Sequence, residues 1–322
     1  MRAAFGADFA QYELAGRSHR CRSGELSLPE SLHPHVMAVL GLDDRPVARA
    51  QFRRSPRAGT DGAFTPVQVA DLYAFPDDAS GAGQTIALIE LGGGYSEDDV
   101  QAYFQGLNLP APALSAVAVD GGANQPGGDA DGEVMLDIEV AAAVAPGAKV
   151  VVYFAPNTDQ GFHDAIAQAT HDSANAPHIL SISWGGSEDS WTEQARQAMD
   201  AALQDAAALG ITVTVACGDN GADDGAGDKK LHVDFPAASA WVLACGGTRL
   251  QASGSAITSE RVWNELPSNE GATGGGVSRY FALPDYQKEA GVPAQPETKF
   301  AGRGVPDVSG DADPTSGYIV RV

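Results

Sequence analysis

Long apolar runs with no polar alternation constrain this chain more than any other feature. Thr85-Ile-Ala-Leu-Ile-Glu90, Lys149-Val-Val-Val-Tyr-Phe154, Ile179-Leu-Ser-Ile-Ser-Trp184, Ile211-Thr-Val-Thr-Val-Ala-Cys217 and Trp241-Val-Leu-Ala-Cys245 each read as a strand buried on both faces. Such strands belong to a parallel sheet covered by helices on either side. The intervening segments supply those helices. Thr65-Pro66 starts one that runs to about Tyr73, and Ser96-Glu-Asp-Asp99 opens another. Further helices are predicted over roughly 131–147, 160–171 and 192–209, the last stopping at Gly210. The fold class is therefore α/β, and in such sheets sites form at the carboxyl ends of the strands. Glu90, Trp184 and Asp219 all fall there, each beside glycines that let another backbone approach closely.

The helix at 131–147 carries Glu133 and Asp137 four residues apart, which places both carboxyl groups on one helix face. Val140, Ala141 and Val144 continue that face, so the pair is expected to face protein. Two acids held together in a dry place cannot both ionise easily. One keeps its proton to high pH, and such a pair can handle protons in catalysis. The plainer reading is that first-turn acids suit the helix dipole.

The chain has 322 residues, enough for one large domain plus an appendage. Acidic residues outnumber basic ones 42 to 20, but residues 1–57 hold nine Arg against six acids. A basic front piece ahead of an acidic body suggests that the two dock on each other. Residues 1–54 read as that front piece, 55–63 as a linker whose neighbouring arginines suit a processing site, and 64–322 as the main domain. The scarcity of positive charge excludes nucleic acid as a partner. No apolar run reaches membrane-spanning length, and the N-terminus lacks the apolar core of a signal peptide. Cys21, Cys217 and Cys245 form no CxxC pair, which argues against a disulfide framework or a zinc site; Cys217 and Cys245 read as core residues.

Several familiar site chemistries are missing. None of the seven histidines sits in a His-Gly-Thr-type helix, and neither Asp-Thr-Gly nor Asp-Ser-Gly occurs. Gly81-Ala-Gly83 precedes its strand instead of following it, the wrong context for a dinucleotide fingerprint. Asp129-Ala-Asp-Gly-Glu133 lacks the twelve-residue pattern of a calcium loop.

The ordered set Ile89-Glu-Leu-Gly-Gly-Gly-Tyr95, Asp131-Gly-Glu-Val-Met-Leu-Asp137, Ser181-Ile-Ser-Trp-Gly-Gly186, Gly218-Asp-Asn-Gly221, His232-Val-Asp-Phe-Pro-Ala-Ala-Ser239, Gly274-Gly-Gly-Val-Ser278 and Gly302-Arg-Gly-Val-Pro-Asp-Val308 resembles the sedolisin family of serine-carboxyl peptidases. The resemblance implies a subtilisin-like parallel sheet flanked by helices, preceded by the last part of an α+β, ferredoxin-like propeptide. It implies a Ser-Glu-Asp triad in which Glu133 is the base and Asp137 the acid that orients it. Asp219 matches the acid that stabilises the oxyanion, and Glu90 and Trp184 match residues behind the glutamate. Ser183, Trp184, Gly185 and Asp234 match the substrate cleft.

By the same resemblance the partners are a peptide or protein substrate and the chain's own propeptide. The protein is then an extracellular monomer. The family's nucleophile lies in a Gly-Thr-Ser-Ala motif, and no Gly-Thr-Ser occurs here. Its calcium site is likewise expected beyond Val322, so no metal ligand is assigned in this chain. Ser316 precedes the place of that motif in a turn-like setting and is not expected to replace the nucleophile. The chain is thus expected to be part of an acid-acting endopeptidase, inactive by itself. The alternative is a non-catalytic remnant that binds peptide or a partner.

Overall fold

The computed structural model describes residues 5–14, 16–54, 62–76 and 78–322. Apart from Gly62 and Ala63, the predicted linker lies outside the described residues. The front piece contributes β1 (Asp8–Leu14) and β2 (Arg17–Ser23), paired as an antiparallel hairpin, and β3 (Arg49–Ala50). The body then alternates helix and strand: α1 (Pro66–Leu72), β4 (Thr85–Glu90), α2 (Glu97–Gly106), β5 (Ala113–Ala118), α3 (Asp131–Val144), β6 (Lys149–Phe154) and α4 (Asp159–Thr170). It continues through β7 (Ile179–Ile182), β8 (Trp184–Ser187), α5 (Glu193–Ala208), β9 (Thr212–Ala216), β10 (Asp234–Phe235), β11 (Leu243–Ser253), β12 (Ala256–Val262), β13 (Gly276–Ala282), β14 (Gly302–Val305) and β15 (Val308–Asp311).

The main sheet runs β12-β11-β9-β7-β4-β6-β5, with β15 also on β11, and every pairing is parallel except β11 with β12. This is the subtilisin-like α/β architecture expected. Strand alternation divides the core into two layers. Leu88, Val150, Val152 and Phe154 pack with Val134, Met135 and Ile138 of α3 and with Val100 and Phe104 of α2. Ile89, Val151, Tyr153, Leu180 and Ile182 pack on the other face with Phe162 and Ile166 of α4 and Met199 and Leu203 of α5.

The helix starts follow local chemistry. Thr65 caps α1 in a reciprocal pair with Gln68, with Pro66 in the first turn, and Ser96, Thr158 and Thr192 cap α2, α4 and α5. α3 has no side-chain cap at Ala130. Instead Asp131 accepts from the backbone N–H groups of Gly94 at 2.9 Å, Gly127 at 2.6 Å and Gly128 at 3.1 Å, which ties the helix start to two glycine-rich loops.

Two expectations need correction. The run Ile179–Trp184 is not one strand: it breaks at Ser183, and Trp184 starts β8 in a separate three-stranded sheet, β10-β8-β3. The stripe of Val140, Ala141 and Val144 is only half-buried, whereas Glu133 is 1% exposed. The most deeply buried face of α3 is the one carrying Val134 and Ile138, which the sheet covers.

Candidate active site

The period of two in the strands positions the acids. Leu88 faces α3, so Glu90, two residues on, faces α3 at the carboxyl end of β4. Leu180 and Ile182 face away from α3, so Ser183 turns toward it. There it meets Asp137, whose Oδ1 accepts a hydrogen bond from Ser183 Oγ at 2.8 Å. The next residue, Trp184, donates its indole N–H to Glu90 Oε2 at 2.8 Å. Glu90 and Asp137 are close enough that each acts on the other's ionisation. Glu133 sits one helical turn before Asp137 with the Gln51 backbone against it, but neither of its oxygens makes a hydrogen bond.

Burial is the main force on these groups. It pushes Glu133 well above the usual carboxyl range, and the nearby Asp137, Glu90 and Asp219 push the same way. Glu90 is raised well above that range too, by burial and then by Asp137, against the Trp184 hydrogen bond. Asp137 rises only to about 6, because burial is opposed by the bonds from Ser183 and Glu90. Asp137 is therefore raised less than Glu90 and Glu133. Asp219 follows Gly218, whose φ of +98° turns the chain at the end of β9. Burial raises it to about 6, opposed by Arg53, whose Nε lies 3.9 Å from Asp219 Oδ2.

Beside the acids runs β8, which is paired on both sides. β8 pairs antiparallel with β10 on one side, through Asp234 with Ser187 and Phe235 with Gly186. On the other side it pairs with β3, through Arg49 with Gly185 and Ala50 with Trp184. The Gln51 N–H continues the ladder to Ser183 O at 2.9 Å. The front piece thus lies on β8 as an added strand, the arrangement by which sheet edges hold extended peptides. Its side chains reach the body as the charge asymmetry suggested. Arg49 donates to Asp224 O at 2.7 Å, Gln51 Nε2 to Asp234 Oδ2 at 3.2 Å, and Arg53 to Asn220 Oδ1. Gly185 is required here, since a Cβ would run into the Asp234 carboxyl. A cavity of about 700 Å³ opens next to this strand, lined among others by Phe52, Asp137, Val140, Ser183 and Asp219.

The structure brings Glu90, Glu133, Asp137, Ser183, Trp184 and Asp219 together, with Gly185 and Asp234 along the adjacent edge. Ser316 is elsewhere: its Oγ donates to Asp311 Oδ1 at 2.9 Å and accepts from Leu250 N at 3.1 Å. Sequence reasoning missed Asp224, a buried acid raised to about 7 by burial and set beside Asp234 and Arg49. It lies in an irregular loop with no periodicity to reveal its burial. Cys217 is buried as expected, whereas Cys245 is half-buried; both are free thiols. Among the described residues no cluster of three or more His, Cys, Asp or Glu is arranged to hold a metal ion, and no helix is long and apolar enough to cross a membrane.

The Subtilase family profile matches residues 115–290, and that of the pro-kumamolisin activation domain matches residues 1–45. The chain is 53% identical to kumamolisin from Bacillus sp. (strain MN-32), over 99% of this chain and 60% of that protein. It is 31% identical to human tripeptidyl-peptidase 1, over 98% of this chain and 58% of that protein. Among solved structures, Pseudomonas sedolisin, a serine-carboxyl proteinase complexed with two molecules of pseudo-iodotyrostatin, superposes with a TM-score of 0.71 at 29% identity, covering 81% of this chain and 74% of that one. The chain belongs to the subtilase family. Within it, the chain is a kumamolisin-like member of the sedolisin group, and it spans 60% of the length of kumamolisin.

Proposed function

We propose that this chain forms the proton-handling part of an acid-acting serine-carboxyl endopeptidase whose further residues supply the serine nucleophile. In this reading Glu133 takes the serine proton and Asp137 holds and tunes it. Asp219 donates a hydrogen bond to the oxyanion, which it can do only as the neutral acid. Glu90 and Trp184 support Asp137, and Ser183, Trp184, Gly185 and Asp234 line the cleft for a peptide or protein substrate. The observation that carries the reading is the convergence of Glu90, Glu133, Asp137 and Asp219 at one sheet edge, beside a strand that accepts an extended peptide.

The front piece fits an intramolecular inhibitor, with residues 1–54 as the end of a propeptide, 55–63 as the connection cut on maturation and 64–322 as the enzyme body. Its docking opposes catalysis at Asp219 and at the edge of β8. Arg53 favours the ionised form of Asp219, which is no donor, and the added strand occupies the edge of β8. Its release removes that cation and frees the edge. The reading includes an extracellular monomer. Calcium, expected in the complete protein, is assigned to no residue here.

The test is peptide hydrolysis by the complete protein at about pH 3–4, below or near ordinary carboxyl pKa values. Glu133→Ala and Asp219→Ala should each lower kcat by roughly 100-fold or more with the fold intact. Wild-type-like kcat in either variant refutes its assigned role, and turnover by the 322-residue chain alone refutes the external nucleophile.

A further inference from the structure

Ser183 enters the site through two atoms that do different things. Its carbonyl accepts from the Gln51 N–H at 2.9 Å, so the backbone holds the strand in the cleft. Its hydroxyl points toward α3 and donates to Asp137 Oδ1 at 2.8 Å. The neighbouring Trp184 fixes Glu90 in the same way, through its indole N–H at 2.8 Å. Two consecutive residues at the corner between β7 and β8 therefore clamp both acids of the Glu90–Asp137 pair. The backbone of the same corner carries the peptide. Asp137 Oδ2 has no hydrogen-bond donor, and the Ser183 hydroxyl is the donor that Oδ1 has among the described residues.

We infer that Ser183 is a positioning residue for Asp137, and that its hydroxyl aims this carboxylate and favours its ionised form while its carbonyl holds the substrate strand. The inference rests on reading Glu133 and Asp137 as the proton-handling pair. The titratable groups facing Asp137 are Glu90 from β4 and Glu133 one turn back on α3. Asp219 and Arg53 act on the far side of Glu133. Burial disfavours the ionised form of Asp137. The Ser183 hydroxyl opposes that burial, and Glu90 acts in the same direction as the hydroxyl. One short segment then links peptide binding to the protonation of the acid pair.

The experiment has two arms, and the first needs no catalysis. In the 322-residue chain, the Asp137 carboxyl is titrated by carbon-13 NMR of labelled aspartate. Ser183→Ala should raise its midpoint by about one pH unit, the usual scale for losing a hydrogen bond to a carboxylate. Ser183→Thr, which restores a hydroxyl, should return the midpoint toward the wild-type value. Ser183→Cys keeps the volume but donates weakly, so it should move the midpoint upward like alanine if the alanine variant does not fold. A midpoint unmoved by loss of the hydroxyl, or raised equally by threonine, overturns the inference.

In the complete protein, Ser183→Ala should lower kcat by about tenfold with KM within about twofold, because the backbone carbonyl remains. The acid limb of the kcat profile should move up with the titration midpoint. A change confined to KM with an unshifted profile means that Ser183 merely lines the cleft, and it also overturns the inference. If the unsubstituted complete protein cleaves no peptide at any pH, the peptidase reading fails, and the NMR arm still decides the role of Ser183.

Discussion

Asp224→Asn isolates the electrostatic cost of one buried acid without disturbing the backbone around it. Asp224 is 1% exposed, neither carboxyl oxygen has a hydrogen-bond partner, and its backbone is left-handed with φ +44°. Asn tolerates that conformation about as well as Asp and is nearly the same size. Arg49 bonds the Asp224 carbonyl, so the substitution leaves that contact in place. Burial moves the carboxyl from 3.8 to about 7, against the pull of Arg49 and His232. The sign follows from linkage. The folded chain binds this proton more tightly than the unfolded one, so wild-type stability falls as pH rises from about 4 to about 7. At roughly 1.4 kcal/mol per pH unit the full cost approaches ~4 kcal/mol. Asp234 lies in the same field and can hold a proton in its place, so roughly half of this is expected for the single variant. Unfolding entropy of about 2.1 cal/mol/K per residue turns ~2 kcal/mol into a Tm rise of about 3 °C for a chain of this size. Thermal unfolding of wild type and variant, followed by circular dichroism, should show that gain at pH 8 and almost none at pH 4. An equal gain at both pH values, or a loss at pH 8, would refute the claim that Asp224 carries an unrelieved charge.

Gly132→Ala tests how the front piece is held. A Cβ at Gly132 would run into the Phe52 ring, and Phe52 is half-buried. Displacing the ring should cost roughly 1 kcal/mol of docking, while alanine favours the helix by up to ~1 kcal/mol. Cleavage after Arg53 and Arg54 by trypsin at native pH should quicken about fivefold with Tm little changed, and an unchanged rate would mean that Phe52 anchors nothing. His232→Gln tests a charge clamp. The His232 ring nitrogens lie 2.6 Å from Asp189 Oδ2 and 2.9 Å from Asp228 Oδ1, and only the imidazolium can donate to both. These carboxylates raise its pKa, so the clamp is complete below the ordinary histidine value of 6.5 and weakens as pH rises through the higher folded value. Hydrogen exchange in residues 222–231 should be faster at pH 5 in the variant, with the gap closing above neutrality. Identical exchange at pH 5 would rule the clamp out.

The fold was legible where one period ruled a whole element. Thr85–Glu90 and Lys149–Phe154 are strands over the residues expected, and α4 and α5 match to within a residue or two. Failures occur where small residues carry more than one meaning. Ala113–Ala118 was missed because an alanine-rich, half-exposed edge strand has neither β-branched density nor a clear period. The strand expected over residues 241–245 starts at Leu243 and runs on through Gly246 and Gly247 to Ser253. They are glycine because Pro306 and Ser309 crowd one and Trp263 and Ala312 crowd the other. Glycine for close approach and glycine for a turn look alike in one dimension.

The site divides along the same line. Helical spacing alone aligned Glu133 with Asp137. Strand alternation from Leu88 puts Glu90 opposite them, while the break after Ile182 sends the Ser183 hydroxyl to Asp137 and Trp184 to Glu90. That break is the step the sequence hid, because Ile-Ser-Trp continues a strand pattern as well as it ends one. Had the strand run on through Trp184, the Ser183 hydroxyl would still face α3. The segment from Ser183 to Gly185, however, would be committed to the main sheet and closed to a peptide strand. Leaving the sheet at Ser183 is thus what lets one stretch of backbone hold the front-piece strand on one side and a pair of acids on the other.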